Sequence, residues 1–168
     1  FGNGSFQQFI GVTPDISVFS KGVSNGFTIA IIAGRKDILS HFEKLWGYST
    51  FGSDALSIRA ALECIKVIER TGAIANIWKK GEWLQEQLSA LLKKHKLDSK
   101  ITIAGYPCRF KFNYASPADE QRANEVFKPI CIAGGILWNN MFVISAAHEQ
   151  KQLDQTRDVF DQAFSKFS

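Results

Sequence analysis

Two short, nearly continuous apolar runs bracket a turn that holds a lysine. Residues 16–19 (Ile-Ser-Val-Phe) and 28–33 (Thr-Ile-Ala-Ile-Ile-Ala) flank Ser20-Lys21-Gly22-Val23-Ser24-Asn25-Gly26. Runs of this kind read as strands covered on both faces, because a strand with one wet face alternates instead. Two strands cannot shield themselves. Residues 1–70 hold too few strands for a doubly wound sheet of their own and need further chain to cover them. Lys21, delivered by a strand to a tight turn, has two readings: a surface lysine closing a strand, or an amine held against a carbonyl compound. Lysine is the side chain that forms Schiff bases, and burial or a cationic neighbour lowers its pKa toward the free amine.

Downstream the pattern becomes helical. Residues 1–13 read as a loop with turn glycines, and 35–46 as a short helix with Ile38, Leu39, Phe42 and Leu45 on one side. Ser53 or Asp54 is a suitable N-cap for a helix over 55–70, and Gly72 a suitable C-cap residue. Leu56, Ala60, Cys64 and Ile68 recur every four residues in it. A second long helix over 74–96 carries the stripe Ile74, Ile77, Trp78, Gly81, Leu84, Leu88 and Leu91, and Gly81 inside it signals close approach of another element. After Asp98 the period falls to two. Residues 101–103 and 109–114 read as strands, the second alternating Phe110, Phe112 and Tyr114 with polar residues. Ser116-Pro117-Ala118-Asp119 opens a helix through about residue 128. Gly134-Gly135 turns into a strand at 136–138, a further strand follows at 141–145, and 149–167 closes the chain as a helix. That helix has Leu153, Phe160, Phe164 and Phe167 inward and Asp154 and Arg157 outward.

Hydrophobic residues make up 45% of the 168, with 14 Phe and 4 Trp, which suits a substantial core and excludes wholesale disorder. The net charge of +4 would permit an anionic partner, but the cations are scattered apart from Lys93-Lys94-His95-Lys96, which reads as a helix end. No nucleic-acid module is recognisable, and no apolar run is long enough for a membrane helix. Three widely spaced cysteines, Cys64, Cys108 and Cys131, fit neither a disulfide framework nor a zinc ribbon and point to a reducing, cytoplasmic setting. Cys64 reads as a core residue of its helix.

Residues 14–36, PDISVFSKGVSNGFTIAIIAGRK, resemble the segment of class III pyridoxal-phosphate aminotransferases that carries the cofactor lysine, the glutamate-1-semialdehyde aminomutase branch included. Tyr48-Ser49-Thr50-Phe51-Gly52-Ser53-Asp54-Ala55-Leu56 resembles the Gly-Thr-x-x-Gly-Asn-Pro-Leu loop of that family. Gly134-Gly135-Ile136, then MFVISAAH at 141–148 and the last helix, resemble its closing strands and helix. The three matches stand in family order. The resemblance implies an α/β chain that is the C-terminal part of a fold-type I pyridoxal-phosphate transferase. Residues 1–70 would be the C-terminal part of the large cofactor-binding domain, and 71–168 a small C-terminal α+β domain. The cofactor aspartate of the family lies in an Asp-Glu-Val motif upstream of the lysine. This chain opens at Phe1-Gly2-Asn3-Gly4-Ser5-Phe6, just past that point, so it reads as the C-terminal portion of a longer enzyme.

The same resemblance implies roles. Lys21 forms the Schiff base with pyridoxal 5'-phosphate and serves as base and acid for the 1,3-proton shift. Thr50 binds the cofactor phosphate of the neighbouring protomer, in a homodimer with shared active sites. The substrates are a small-molecule amino donor and a carbonyl acceptor, with no nucleic acid or membrane partner. The glycines and Ser24-Asn25 around Lys21 let backbone approach the cofactor. His148 reads as a structural histidine or helix cap. Arg109 reads either as a ligand for a substrate carboxylate or as an outward strand residue, and Asn3-Gly4-Ser5 has no phosphate role. Two departures set the chain apart from the aminomutase branch: Asn140 stands where that branch has a glutamate, and Gly52-Ser53-Asp54-Ala55 replaces Ser-Gly-Asn-Pro. An aminotransferase for another substrate, a glutamate-1-semialdehyde 2,1-aminomutase and a non-catalytic binding or dimerisation fragment all stay open.

Overall fold

In the computed structural model, which describes residues 1–2, 4–45, 47 and 50–167, the chain divides into two units, Phe1–Ile74 and Ala75–Ser168. The elements are α1 (Ser5–Phe9), β1 (Ile16–Phe19), β2 (Ile31–Gly34), α2 (Lys36–Leu39), α3 (Ala55–Thr71), α4 (Ala73–Lys94), β3 (Ile101–Tyr106), β4 (Arg109–Tyr114), α5 (Pro117–Ala133), β5 (Phe142–Val143) and α6 (Gln150–Phe167).

In the first unit β1 and β2 form an antiparallel ribbon, with Ile16 opposite Gly34 and Phe19 opposite Ile31. Val18 is 68% exposed, so the described residues do not themselves supply the cover that these two apolar strands need. A two-stranded ribbon has no second layer to cover it, so its apolar side chains stay open whatever their propensity. Residues 1–13 are not all loop. Helix α1 forms there, and its Phe6 and Phe9 cluster with Phe1, ring centroids 4.9–6.0 Å apart. The expected helix over 35–46 is one α-helical turn, α2, continued by 3-10 geometry over Ser40–Lys44; Trp46 lies outside the described residues.

Helix α3 starts and stops where its caps require. The Asp54 carboxylate accepts the Ser57 amide at 3.0 Å, and Gly72 closes the helix at φ 60°. Its inner face is displaced from the expected one. Ser57 and Ala61 are buried while Leu56 is 64% exposed. The inner line runs Ser57, Ala61, Cys64, Ile68, and Leu56 falls beside it.

The second unit holds a three-stranded antiparallel sheet in the order β3-β4-β5. Phe110 and Phe112 point inward from β4 while Arg109, Lys111 and Asn113 are exposed, as the period of two requires. They join Leu84, Leu88 and Leu92 of α4, Phe127 and Cys131 of α5 and Phe160 and Phe164 of α6 in one core. The basic cluster at 93–96 does end α4. Lys94 Nζ and His95 Nε2 lie 2.7 and 2.6 Å from the Asp161 carboxylate, and these contacts, His95 first, hold that carboxyl below its ordinary pKa.

Three boundaries differ from expectation. Helix α5 runs past Pro129 to Ala133 rather than stopping near 128. The proline removes one backbone donor, but the turn beyond it buries Cys131, and that packing decides. Residues 136–138 form no strand, although Trp138 is buried. Strand β5 has two residues where five were expected, because a side chain takes the next place in the ladder. Asn140 donates through Nδ2 to the Phe112 carbonyl (3.1 Å) and accepts the Phe112 amide at Oδ1 (3.2 Å).

Gly81 meets the expectation of close approach: a Cβ there would lie 1.9 Å from the Pro107 carbonyl oxygen. Alanine would gain roughly 1 kcal/mol of helix propensity. Backbone cannot yield as a flexible side chain would, so overpacking outweighs that gain. Gly81→Ala is expected to lower stability in chemical denaturation by about 1–3 kcal/mol. A stability gain would show that the turn moves aside freely.

Candidate active site

The ribbon's connection is a 3-10 turn over Lys21–Val23. Its hydrogen bonds run from the Val23 amide to the Ser20 carbonyl and from the Ser24 amide to the Lys21 carbonyl, both 3.4 Å. Lys21 itself sits at φ 55°, a left-handed conformation that is uncommon outside glycine and costs about 1–2 kcal/mol. Residues kept in such conformations cluster at functional sites, where the surroundings over-determine them. Two hydroxyls stitch the connection across: Ser20 donates to the Ile29 carbonyl at 3.3 Å, and Ser24 to the Phe27 carbonyl at 2.5 Å. From α3, the Cys64 thiol donates to the Gly22 carbonyl at 3.6 Å.

An open cavity of about 820 Å³ lies against this turn. Lys21, Asn25 and Thr28 give it polar edges, while Phe27, Phe51 and Ile58 give it an apolar wall. Lys21 is its one charged lining side chain among the described residues. Cβ atoms at Gly22 and Gly26, which also line it, would meet nothing within 4 Å, so backbone is accessible there. An amine beside an apolar wall and bare backbone can bind a planar carbonyl compound and present a nucleophile to it.

The chain thus brings Lys21 and the loop after Thr50 to one cavity. Phe51 and Gly52 line it, and Thr50, exposed in a turn, precedes them directly. Tyr48 and Ser49, which begin that motif, lie outside the described residues, as does Asn3. The remaining candidates belong to the second unit. Arg109 is exposed on β4, opposite Tyr106 and Val143. His148 accepts the Ser145 amide at Nδ1 (3.1 Å), closing the turn before α6, in keeping with the structural reading. Asn140 is engaged with Phe112, and Tyr114 Oη lies 3.4 Å from its Oδ1. Sequence reasoning gave Ser24 and Cys64 no bonding role at the turn. The Ser-Asn-Gly triplet was a signal for the first; the second had none, because a thiol in a helix looks apolar.

Residues 4–157 match the family model described as aminotransferase class-III. The chain is 26% identical over 159 residues to an aminopentol aminotransferase of Sphingopyxis macrogoltabida, across 93% of this chain and 37% of that protein. It superposes on the FumI protein of Sphingopyxis sp. MTA144, solved in its PLP internal aldimine form, with a TM-score of 0.86. Identity there is 23%, over 96% of this chain and 39% of that one. An omega-transaminase from Sphaerobacter thermophilus gives 0.86 at 17% identity, over 99% and 42%. The chain therefore spans about two fifths of the length of these relatives, and its fold is the α/β fold of that part of them.

Proposed function

The chain belongs to the class III aminotransferases, and from that premise we propose that it supplies the reactive lysine of a pyridoxal-phosphate-dependent aminotransferase. The observation that carries this reading is Lys21, held left-handed at the edge of a cavity in which it is the one charged lining residue among those described. The residues present fit the lysine end of the cofactor: an amine, bare glycine backbone and an apolar wall. Pyridoxal phosphate supplies an aldehyde that condenses with amines and an electron sink for the carbon that loses its proton. Lys21 Nζ would hold the cofactor through its aldehyde carbon. As a free amine, Nζ would take and return the proton of the 1,3-shift. Phe27, Phe51 and Ile58 would give the cofactor ring an apolar face to lie against. Thr50 is proposed to donate its hydroxyl to the cofactor phosphate of a partner protomer, in a homodimer that shares its sites.

The substrates are a small amine or amino acid and a carbonyl acceptor. Residues 1–70 are read as the end of the large cofactor-binding domain, and 71–168 as the small domain. Aminotransfer is favoured over the aminomutase reaction. Asn140, at the place of that branch's acid, serves β4, and the relative compared by sequence is named an aminotransferase. No described helix is long and apolar enough to cross a membrane. The cytoplasmic reading rests on three free cysteines.

Thr50→Ala is expected to weaken cofactor binding by about tenfold or more, the loss of one hydrogen bond to a charged group. Mixing Thr50→Ala with Lys21→Ala subunits should restore turnover at limiting cofactor, because one site per mixed dimer then has both residues. A whole protein that gains no visible absorbance with pyridoxal phosphate would support the non-catalytic reading instead.

A further inference from the structure

Beyond Lys21 itself, the turn depends on the residue three positions later. We infer that Ser24 is a positioning residue for the Lys21 amine, an inference that rests on the reading of Lys21 as the cofactor lysine. Ser24 is only 3% exposed, in a unit where Val18 is 68% exposed. Its burial is therefore local and belongs to the turn.

Its two bonds run in opposite directions along the chain. The Ser24 amide donates to the carbonyl of Lys21, and the hydroxyl donates to the carbonyl of Phe27 at 2.5 Å. Both bonds close over left-handed backbone. The first loop includes Lys21 (φ 55°), and the second spans Asn25 (φ 50°) and Gly26 (φ 119°). Asn25 and Gly26 adopt such angles readily, whereas a lysine holds one where other contacts impose it. The far partner, Phe27, lines the same cavity as Lys21. The hydroxyl fixes residue 24 against Phe27, and the backbone amide of the residue so fixed closes the turn over Lys21. A hydroxyl suits the task because it reaches a carbonyl two or three residues along and competes well with regular structure. The Cys64 thiol, bonded to Gly22, fastens the same turn to α3 from the side.

The test uses the whole protein with Ser24→Ala and Ser24→Thr. Without cofactor, hydrogen exchange at the amides of residues 21–27 should accelerate about tenfold in Ser24→Ala, the loss of one hydrogen bond. Ser24→Thr, which keeps the hydroxyl, should exchange as the native protein does. With pyridoxal phosphate bound, the pH midpoint of the visible band should move by about half a unit in Ser24→Ala, since that midpoint reports the setting of the lysine nitrogen. The role is overturned if Ser24→Ala matches the native protein in both measurements, if Ser24→Thr behaves as Ser24→Ala, or if Ser24→Ala unfolds the protein outright. Lys21→Ala separates the two readings. A band that survives it sinks the cofactor lysine itself. A band lost there, with Ser24→Ala unchanged, sinks only the role of Ser24.

Discussion

With Lys21 read as the cofactor lysine, Lys21→Ala is expected to remove the visible band of its bond to the cofactor and to slow amino transfer by a factor on the order of 10³ or more. The loss combines a missing covalent anchor with a missing general base, and the latter alone is worth about 10²–10⁴. Lys21→Arg should be as inactive, because a guanidinium keeps the charge and cannot act as a free amine. Stability separates this site from an ordinary surface position. Lys21 is left-handed at φ 55°, and alanine inherits that strain. Glycine does not, so Lys21→Gly should be more stable than Lys21→Ala by about 1 kcal/mol, while equally inactive. Absorbance titration and chemical denaturation of the three variants measure both effects. Activity retained in Lys21→Ala would sink the proposal. Equal stability of the glycine and alanine variants would show that the turn relaxes without its lysine.

What the chain spells out locally, the structure repeats. Asp54 and Gly72 cap α3, Ser116-Pro117 opens α5, and Phe110 and Phe112 alternate into the core. Each is a signal carried by neighbouring residues. The turn at Lys21 was legible for a related reason, since its glycines and Ser-Asn pair are adjacent in sequence, while the role proposed for its amine came from the family resemblance. Most of the misses are long-range. Asn140 replaces a strand residue through a bond to Phe112, 28 positions away, and no period reveals that. Pro129 stays inside α5 because Cys131 packs in the core, which a breaker rule ignores. The openness of Val18 depends on which layers lie over the ribbon, not on Val18. At the site, the bond of Cys64 to Gly22 joins residues 42 apart. The bond of Ser24 to Phe27 is short-range but lies in a loop with no regular period to read.

The heaviest structural loss is expected in the second unit, from Phe112→Ala. Phe112 is 1% exposed. Its ring centroid lies 5.2 Å from Phe142, 5.6 Å from Phe160, 5.8 Å from Trp138 and Phe164, and 6.4 Å from Phe127. These rings come from β4, β5, α5, α6 and the segment before β5, so no single element can move in to fill the space. The cavity term therefore adds to the lost burial, and the expected cost is about 3–5 kcal/mol. Phe112→Leu keeps most of the volume and should cost less, about 1–2 kcal/mol. The two Asn140 bonds go to the Phe112 backbone, so they survive both substitutions and the difference between variants reads packing alone. Chemical denaturation with an unchanged slope is the measurement, since a changed slope would report a different unfolded or native state. A loss below about 1 kcal/mol for Phe112→Ala would mean that the aromatic cluster collapses around the gap and is not the rigid centre of this unit.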